Sequence, residues 1–150
     1  MAAEKSIEQR VKDIIVLNNG EKISPTDLET AIMRDPLFEQ VMVVGEGCSH
    51  LGVLAVVNRE LWQEEIRERG LAADWPENLN SPEAQGIALN RIARQMQSFP
   101  GYAKIRRVAL LAEPWTTENG LLTPTLKLKR RLVQERYRAE YEALCRSYPR

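Results

Sequence analysis

Histidine occurs once and cysteine only twice in these 150 residues, a scarcity that removes most metal chemistry at the outset. Cys48 and Cys145 lie far apart, without the spacing of a zinc site, and His50 alone cannot complete one. Both cysteines are expected as reduced packing or surface thiols, and His50 as a loop residue rather than a ligand or base. No apolar run approaches the roughly 20 residues that span a bilayer. The opening Met1-Ala2-Ala3-Glu4-Lys5-Ser6 has no apolar signal core, so a cytoplasmic chain is expected, membrane-peripheral at most. An excess of one charge is missing too, since Lys+Arg and Asp+Glu both number 21. Nucleic-acid binders are usually basic. Lys127, Lys129, Arg130, Arg131, Arg136 and Arg138 do cluster, but Glu135, Glu140 and Glu142 dilute them, and no nucleic-acid partner is expected. Aromatics make up 6%, and Trp62, Trp75 and Trp115 read as core and loop anchors rather than a stacking platform.

What remains is an ordinary globular balance, 43% hydrophobic and 28% charged, in a length that supports one domain. The apolar run Ile14-Ile15-Val16-Leu17 meets Asn19-Gly20, a pair suited to the positive φ of a hairpin turn. Ser24-Pro25-Thr26-Asp27 reads as a helix start with a capping hydroxyl, and Asp35-Pro36 as its end. Residues 41–45 and 51–57 are short apolar strands joined closely enough for an antiparallel pair. Asn58 is expected to cap a charged helix over 59–69 that buries Leu61, Trp62 and Ile66. A looser stretch, 70–80, precedes a helix begun by Ser81-Pro82, in which Ala84, Ala88, Ile92 and Met96 repeat at helical spacing. Phe99-Pro100-Gly101 breaks it, 105–111 forms a third central strand, and 113–124 is rich in turn-formers. A last helix over 128–146 is expected to pack through Leu132, Tyr137, Tyr141 and Leu144. The fold class is therefore α+β: a hairpin and a small antiparallel sheet covered by helices.

Two segments carry a more specific pattern. Arg10-Val11-Lys12-Asp13-Ile14-Ile15, followed by Gly20-Glu21-Lys22-Ile23 and Leu28-Glu29, resembles the hinge motif of adenylate-forming acyl-CoA synthetases. Pro124-Thr125-Leu126-Lys127-Leu128-Lys129-Arg130 resembles that family's terminal Pro-Thr-Gly-Lys-Ile-x-Arg motif. Leu126 in place of glycine, with Glu118-Asn119-Gly120-Leu121-Leu122-Thr123 before it, is similar to the long-chain fatty-acid branch. The likeness runs from about residue 10 to 141, leaving 1–9 as a flexible start and 10–150 as the carboxy-terminal domain of such an enzyme. Gln9 departs from the glycine usual before the arginine.

The resemblance implies a two-step ligase reaction. A fatty acid attacks the α-phosphate of ATP to give acyl-adenylate and pyrophosphate, and the CoA thiol then displaces AMP. ATP, CoA and Mg2+ serve the complete enzyme, and none is expected to be bound tightly by this chain alone. Carried over by position, Lys127 is the adenylation lysine, Lys12 the hinge residue and Arg10 a nucleotide contact. Gly20 is where the pantetheine arm passes, and Lys22 is a basic position on the CoA face. No metal ligand is implied. The phosphate loop and adenine site belong to an amino-terminal adenylation domain, the implied partner, so this chain by itself is expected to be inactive. Without the motif, Lys127 would read as a solvated lysine opening a basic helix, and a register slipped by two would put Lys129 in its place. A free-standing CoA- or partner-binding module, or a domain that serves an acyl-carrier-protein ligase, stays open as an alternative.

Overall fold

A computed structural model describes residues 13–146. Its centre is β4 (Leu51–Val57), all seven of whose residues are buried. A strand enclosed on both faces needs no polar alternation, which is why it reads as an unbroken apolar run. It is flanked by β3 (Phe38–Val44) and β5 (Ile105–Leu111) in the order β3-β4-β5. Before them come β1 (Ile15–Val16) and β2 (Lys22–Ile23), an antiparallel hairpin, and α1 (Pro25–Ile32). Helix α2 (Arg59–Glu68), a short 3-10 turn (Glu77–Asn80) and α3 (Pro82–Gln95) connect β4 to β5. Helices α4 (Arg130–Arg136) and α5 (Arg138–Cys145) finish the domain.

The α+β class and its elements match the expectation, with one difference in strand direction. β3 and β4 pair antiparallel, but β4 and β5 run parallel, so the sheet is mixed. The reason is the connection: a hairpin reverses the chain, whereas a crossover through helices returns it in the same sense. Period-two alternation then sorts side chains into two cores. Val41, Val43, Val53 and Ala55 face one layer with Trp62, Ala88 and Ile92 from the helices. Met42, Val44, Leu54 and Val56 face the other, with Trp115, Leu122, Val133 and Leu144.

Local signals fare unevenly. Asn58 caps α2 as expected, accepting the Leu61 amide at 3.0 Å. Ser81 caps α3 through the Ala84 amide at 3.1 Å. Ser24 occupies the N-cap of α1 without a side-chain capping bond, so proline in the first turn and Asp27 at the positive end of the dipole mark that start instead. Leu61 and Leu132 were expected to pack but are 36% and 42% exposed. The expected single last helix breaks at Tyr137, whose φ of −112° and ψ of 41° are not helical. The break lets Val133 on α4 and Leu144 on α5 both reach the second core. Helix α5 sits close because Gly52 leaves room: a Cβ there would lie 2.9 Å from the Leu144 Cβ.

That close approach overturns the reading of the cysteines as reduced thiols. Cys48, in the β3–β4 loop, and Cys145, at the end of α5, form a disulfide across 97 residues, with Cα atoms 5.5 Å apart. Sequence spacing could not show it, because packing of α5 on β4 brings the pair together. His50 is held beside it, its Nε2 2.6 Å from the Leu144 carbonyl, as a structural pin. No helix among the described residues is long and apolar enough to cross a membrane.

One further charge pair is deeply placed. Arg91 on α3 donates twice to Asp35, at 2.7 Å each, and Asp35 also accepts the Leu37 amide at 3.0 Å. Burial by itself favours the neutral acid, but the Arg91 and Leu37 hydrogen bonds and the Arg91 and Arg94 charges outweigh it and hold the Asp35 carboxyl below its ordinary range.

Two outcomes are expected from these contacts. Reduction should remove about 2–5 kcal/mol of stability, since a disulfide closing a long loop restricts the unfolded chain. Urea unfolding with and without a dithiol would read it, and coincident midpoints would mean the bond does not form in solution. Asp35, depressed in the folded state, contributes stability that is present above the unfolded carboxylate value of about 4 and lost as pH falls through the lower folded value. Asp35→Asn should therefore cost about 1–3 kcal/mol at neutral pH. It should also flatten the decline of stability in acid, measured by urea midpoints over a pH series.

Candidate catalytic hairpin and its supports

Lys127 stands on a small hairpin that sequence reading leaves as an irregular stretch. Leu122 and Leu128 pair across an isolated antiparallel bridge, and the Lys129 amide donates to the Leu121 carbonyl at 3.0 Å. At the tip, the Leu126 amide donates to the Thr123 carbonyl and the Thr123 amide to the Lys127 carbonyl, both at 2.8 Å. The Thr123 hydroxyl accepts the Lys127 amide at 3.1 Å and lies 3.1 Å from that of Thr125. Pro124, with its fixed φ, suits the first position of such a turn. The result is an exposed lysine on a turn whose backbone groups are largely satisfied within five residues.

The same pattern of turn occurs at the β1–β2 hairpin. There the Gly20 amide donates to the Leu17 carbonyl at 2.9 Å and the Leu17 amide to the Glu21 carbonyl at 3.0 Å. Three-residue hairpin loops of this kind place their third residue in the left-handed region. Gly20 does so at φ +91° and Leu126 at φ +65°. Glycine holds that conformation freely, while leucine pays about 1–2 kcal/mol for it. A Cβ at Gly20 would meet nothing within 4 Å, so dihedral preference, not space inside this domain, selects glycine there. Leu126 is the one non-glycine residue with positive φ among those described, and it is 70% exposed.

The two tips are anchored to opposite faces of the sheet. Ile15, Leu17 and Ile23 root the β1–β2 hairpin in the first core. Leu121, Leu122 and Leu128 root the Lys127 hairpin in the second. Exposed Lys22 shares the first hairpin with Gly20, as the sequence implies. Arg10 and Lys12 lie outside the described residues. Gly20 and Lys22 are thus brought together, and Lys127 is set on the other layer.

What joins the layers is an ion pair that sequence reasoning quoted in its motifs but gave no role. Arg130, the first residue of α4, donates from both terminal nitrogens to Glu29 of α1, at 2.7 Å each. Glu29 Oε2 also accepts the Val43 amide at 2.8 Å, and Arg130 Nε lies 3.7 Å from Asp13 Oδ2. Burial works against the Arg130 charge, but the Glu29 bonds, with the Glu29 and Asp13 charges, outweigh it and bind the guanidinium proton more tightly than water would. Their presence in both motifs, one in each, was the available signal.

The segment before the hairpin is ordered by polar side chains. The Gln40 amide group pairs with the Trp115 backbone, accepting at 2.6 Å and donating at 2.8 Å, which also covers the outer edge of β3. Thr116 and Asn119 cap one another at 2.9 and 3.0 Å. Beside the hairpin lies a recess of about 430 Å³ whose lining includes Met33, Val41, Leu122, Leu126 and Leu128. Among the described residues, no group of His, Cys, Asp and Glu is arranged to hold a metal.

Residues 12–148 match the profile of the family described as AMP-binding enzyme C-terminal domain. Over 138 residues the chain is 33% identical to the chloroplastic long-chain-fatty-acid–[acyl-carrier-protein] ligase AEE15 of Arabidopsis thaliana, covering 92% of this chain and 17% of that protein. It is 29% identical over 143 residues to the long-chain-fatty-acid–CoA ligase FadD15 of Mycobacterium tuberculosis, covering 93% and 24%. Among solved structures, the adenylation domain of carboxylic acid reductase from Segniliparus rugosus, in complex with AMP and a co-purified carboxylic acid, superposes with a TM-score of 0.73. Identity there is 25%, over 90% of this chain and 20% of the other. The chain therefore spans about a fifth of the length of the proteins it matches. The paired motifs and the mixed sheet with its hairpin agree with the family match, and the chain belongs to the AMP-binding enzyme C-terminal domain family.

Proposed function

We propose that this chain works as the mobile C-terminal domain of a long-chain fatty-acid–CoA ligase and that Lys127 is its adenylation lysine. The observation that carries the reading is the placement of Lys127 on an ordered, exposed turn, on the sheet layer opposite Gly20. A domain serving two half-reactions needs two separate faces, one for each step. In the first step a carboxylate and a triphosphate, both anionic, must meet. One ammonium between them lowers the repulsion and stabilises the charge that builds as the α-phosphate is attacked. At about 4 Å and an effective dielectric near 20, such a contact is worth roughly 4 kcal/mol before desolvation.

In this reading the amino-terminal adenylation domain holds ATP and fatty acid. Mg2+ travels with the nucleotide phosphates. The β1–β2 hairpin turns toward the thiol substrate in the second step, Gly20 leaving a path for the pantetheine arm and Lys22 offering charge to its phosphates. Arg10 contacts the nucleotide, and Lys12 absorbs the dihedral change between steps. A second reading is favoured by the 33% identity to an acyl-carrier-protein ligase. A carrier protein presents the same pantetheine thiol, so the residues keep their roles and only the thiol's bearer differs.

Lys127→Ala in the complete ligase should slow acyl-adenylate formation by about 10²–10³-fold, read by pyrophosphate exchange. Thioester formation from supplied acyl-adenylate should survive. Equal loss of both half-reactions would refute the role given to Lys127, and transfer of the loss to Lys129→Ala would show the motif slipped by two. Product analysis with CoA and with carrier protein separates the two thiol substrates.

A further inference from the structure

Leu126 occupies a backbone conformation that its neighbour in geometry, Gly20, reaches without strain. The two turns share their hydrogen-bond pattern, so the backbone asks the same of both positions. Among the described residues, Leu126 is not enclosed by the core. Its side chain only borders the recess beside the hairpin and stays 70% exposed, whereas the apolar residues that root the hairpin, Leu121 and Leu122, are 2% and 9% exposed. A strained, exposed, apolar residue next to a functional position implies a contact made elsewhere, because strain persists where surrounding interactions or function require it. The Leu126 side chain also extends from the tip that carries Lys127.

We infer that Leu126 is a positioning residue: its isobutyl group docks into an apolar recess of the adenylation domain beside the carboxylate site, and so fixes where the Lys127 ammonium comes to rest. The inference rests on the role of Lys127 proposed above. An ammonium on a four-carbon stem reaches many places, so a charge contact alone defines its position poorly. A buried aliphatic group one residue away supplies what the ammonium lacks, namely shape. Docking of Leu126 adds affinity only in the adenylation arrangement. It therefore acts on the first half-reaction and leaves the second alone.

The test uses the complete ligase with Leu126→Gly, Leu126→Ala and Leu126→Met, and Lys127→Ala beside them. Glycine and alanine should each slow adenylate formation by about 10–100-fold, the factor that corresponds to losing one buried leucine side chain. Methionine, which restores most of the apolar volume, should recover at least half of the wild-type rate. Thioester formation from supplied adenylate should stay within about twofold in all three, a split that a general loss of folding would not produce. In this chain, Leu126→Gly should melt roughly 2–6 °C above Leu126→Ala, since only glycine relieves the left-handed strain. Wild-type adenylation by the glycine and alanine variants, while Lys127→Ala is inactive, would overturn the docking role and leave Lys127 standing. Parallel loss of both half-reactions would overturn it in favour of a structural role. Full adenylation by Lys127→Ala would remove the reading of the site and this inference together.

Discussion

The guanidinium of Arg130 must be neutralised where the fold places it, between the first helix, the sheet and the start of α4. Glu29 does this with two parallel hydrogen bonds and has a lone pair left for the Val43 amide. Such a pair adds little net stability compared with well-packed apolar residues, but removing one partner strands a partly buried charge. Its value here is geometric. A planar fork meeting a planar carboxylate fixes direction as well as distance. Two residues separate Lys127 from Arg130, and the Lys129–Leu121 and Leu122–Leu128 contacts leave that link little freedom. The position of the lysine turn is thereby tied to α1, which packs in the other layer.

Seen this way, the sheet is a partition with a cross-brace. One hairpin hangs from each side, each closing with the same three-residue turn. The sides differ in how their turns meet the left-handed requirement. The side carrying Gly20 meets it with the residue that has no side chain, and so presents bare backbone to whatever approaches. The side carrying Leu126 keeps a large apolar group there at an energetic cost of about 1–2 kcal/mol. One turn ends in bare backbone, the other in an exposed apolar side chain.

Much of this was legible in the chain before any coordinates. The unbroken run of β4, the Asn58 and Ser81 caps and the Ala84-Ala88-Ile92 stripe are local signals, and local signals survive folding. Lys127 and Gly20 were legible as motif positions, and the structure adds the turns on which they sit. What escaped was long-range or geometric. The parallel sense of β5 depends on a crossover, the Cys48–Cys145 bond on how α5 packs, and the Glu29–Arg130 pair on residues 101 apart in sequence. The break at Tyr137 was missed because nothing near it is a helix breaker; the need to keep Val133 and Leu144 in one core imposes it. Ser24 shows the reverse case, a residue of the right type at the right place that does not make the expected bond.

The β3–β4 loop has a mechanical meaning beyond its disulfide. The Asn18 amide donates to the Cys48 carbonyl and the Gly47 amide to the Val16 carbonyl, both at 2.9 Å, and Glu46 accepts the Val16 amide at 2.8 Å. The first hairpin is thus laced to this loop, and the loop is bonded covalently to the last helix. Beginning and end of the described chain share one knot. A body bound in that way is stiff end to end: the hairpin and the lysine turn keep a fixed relation to each other, like two keys on one ring.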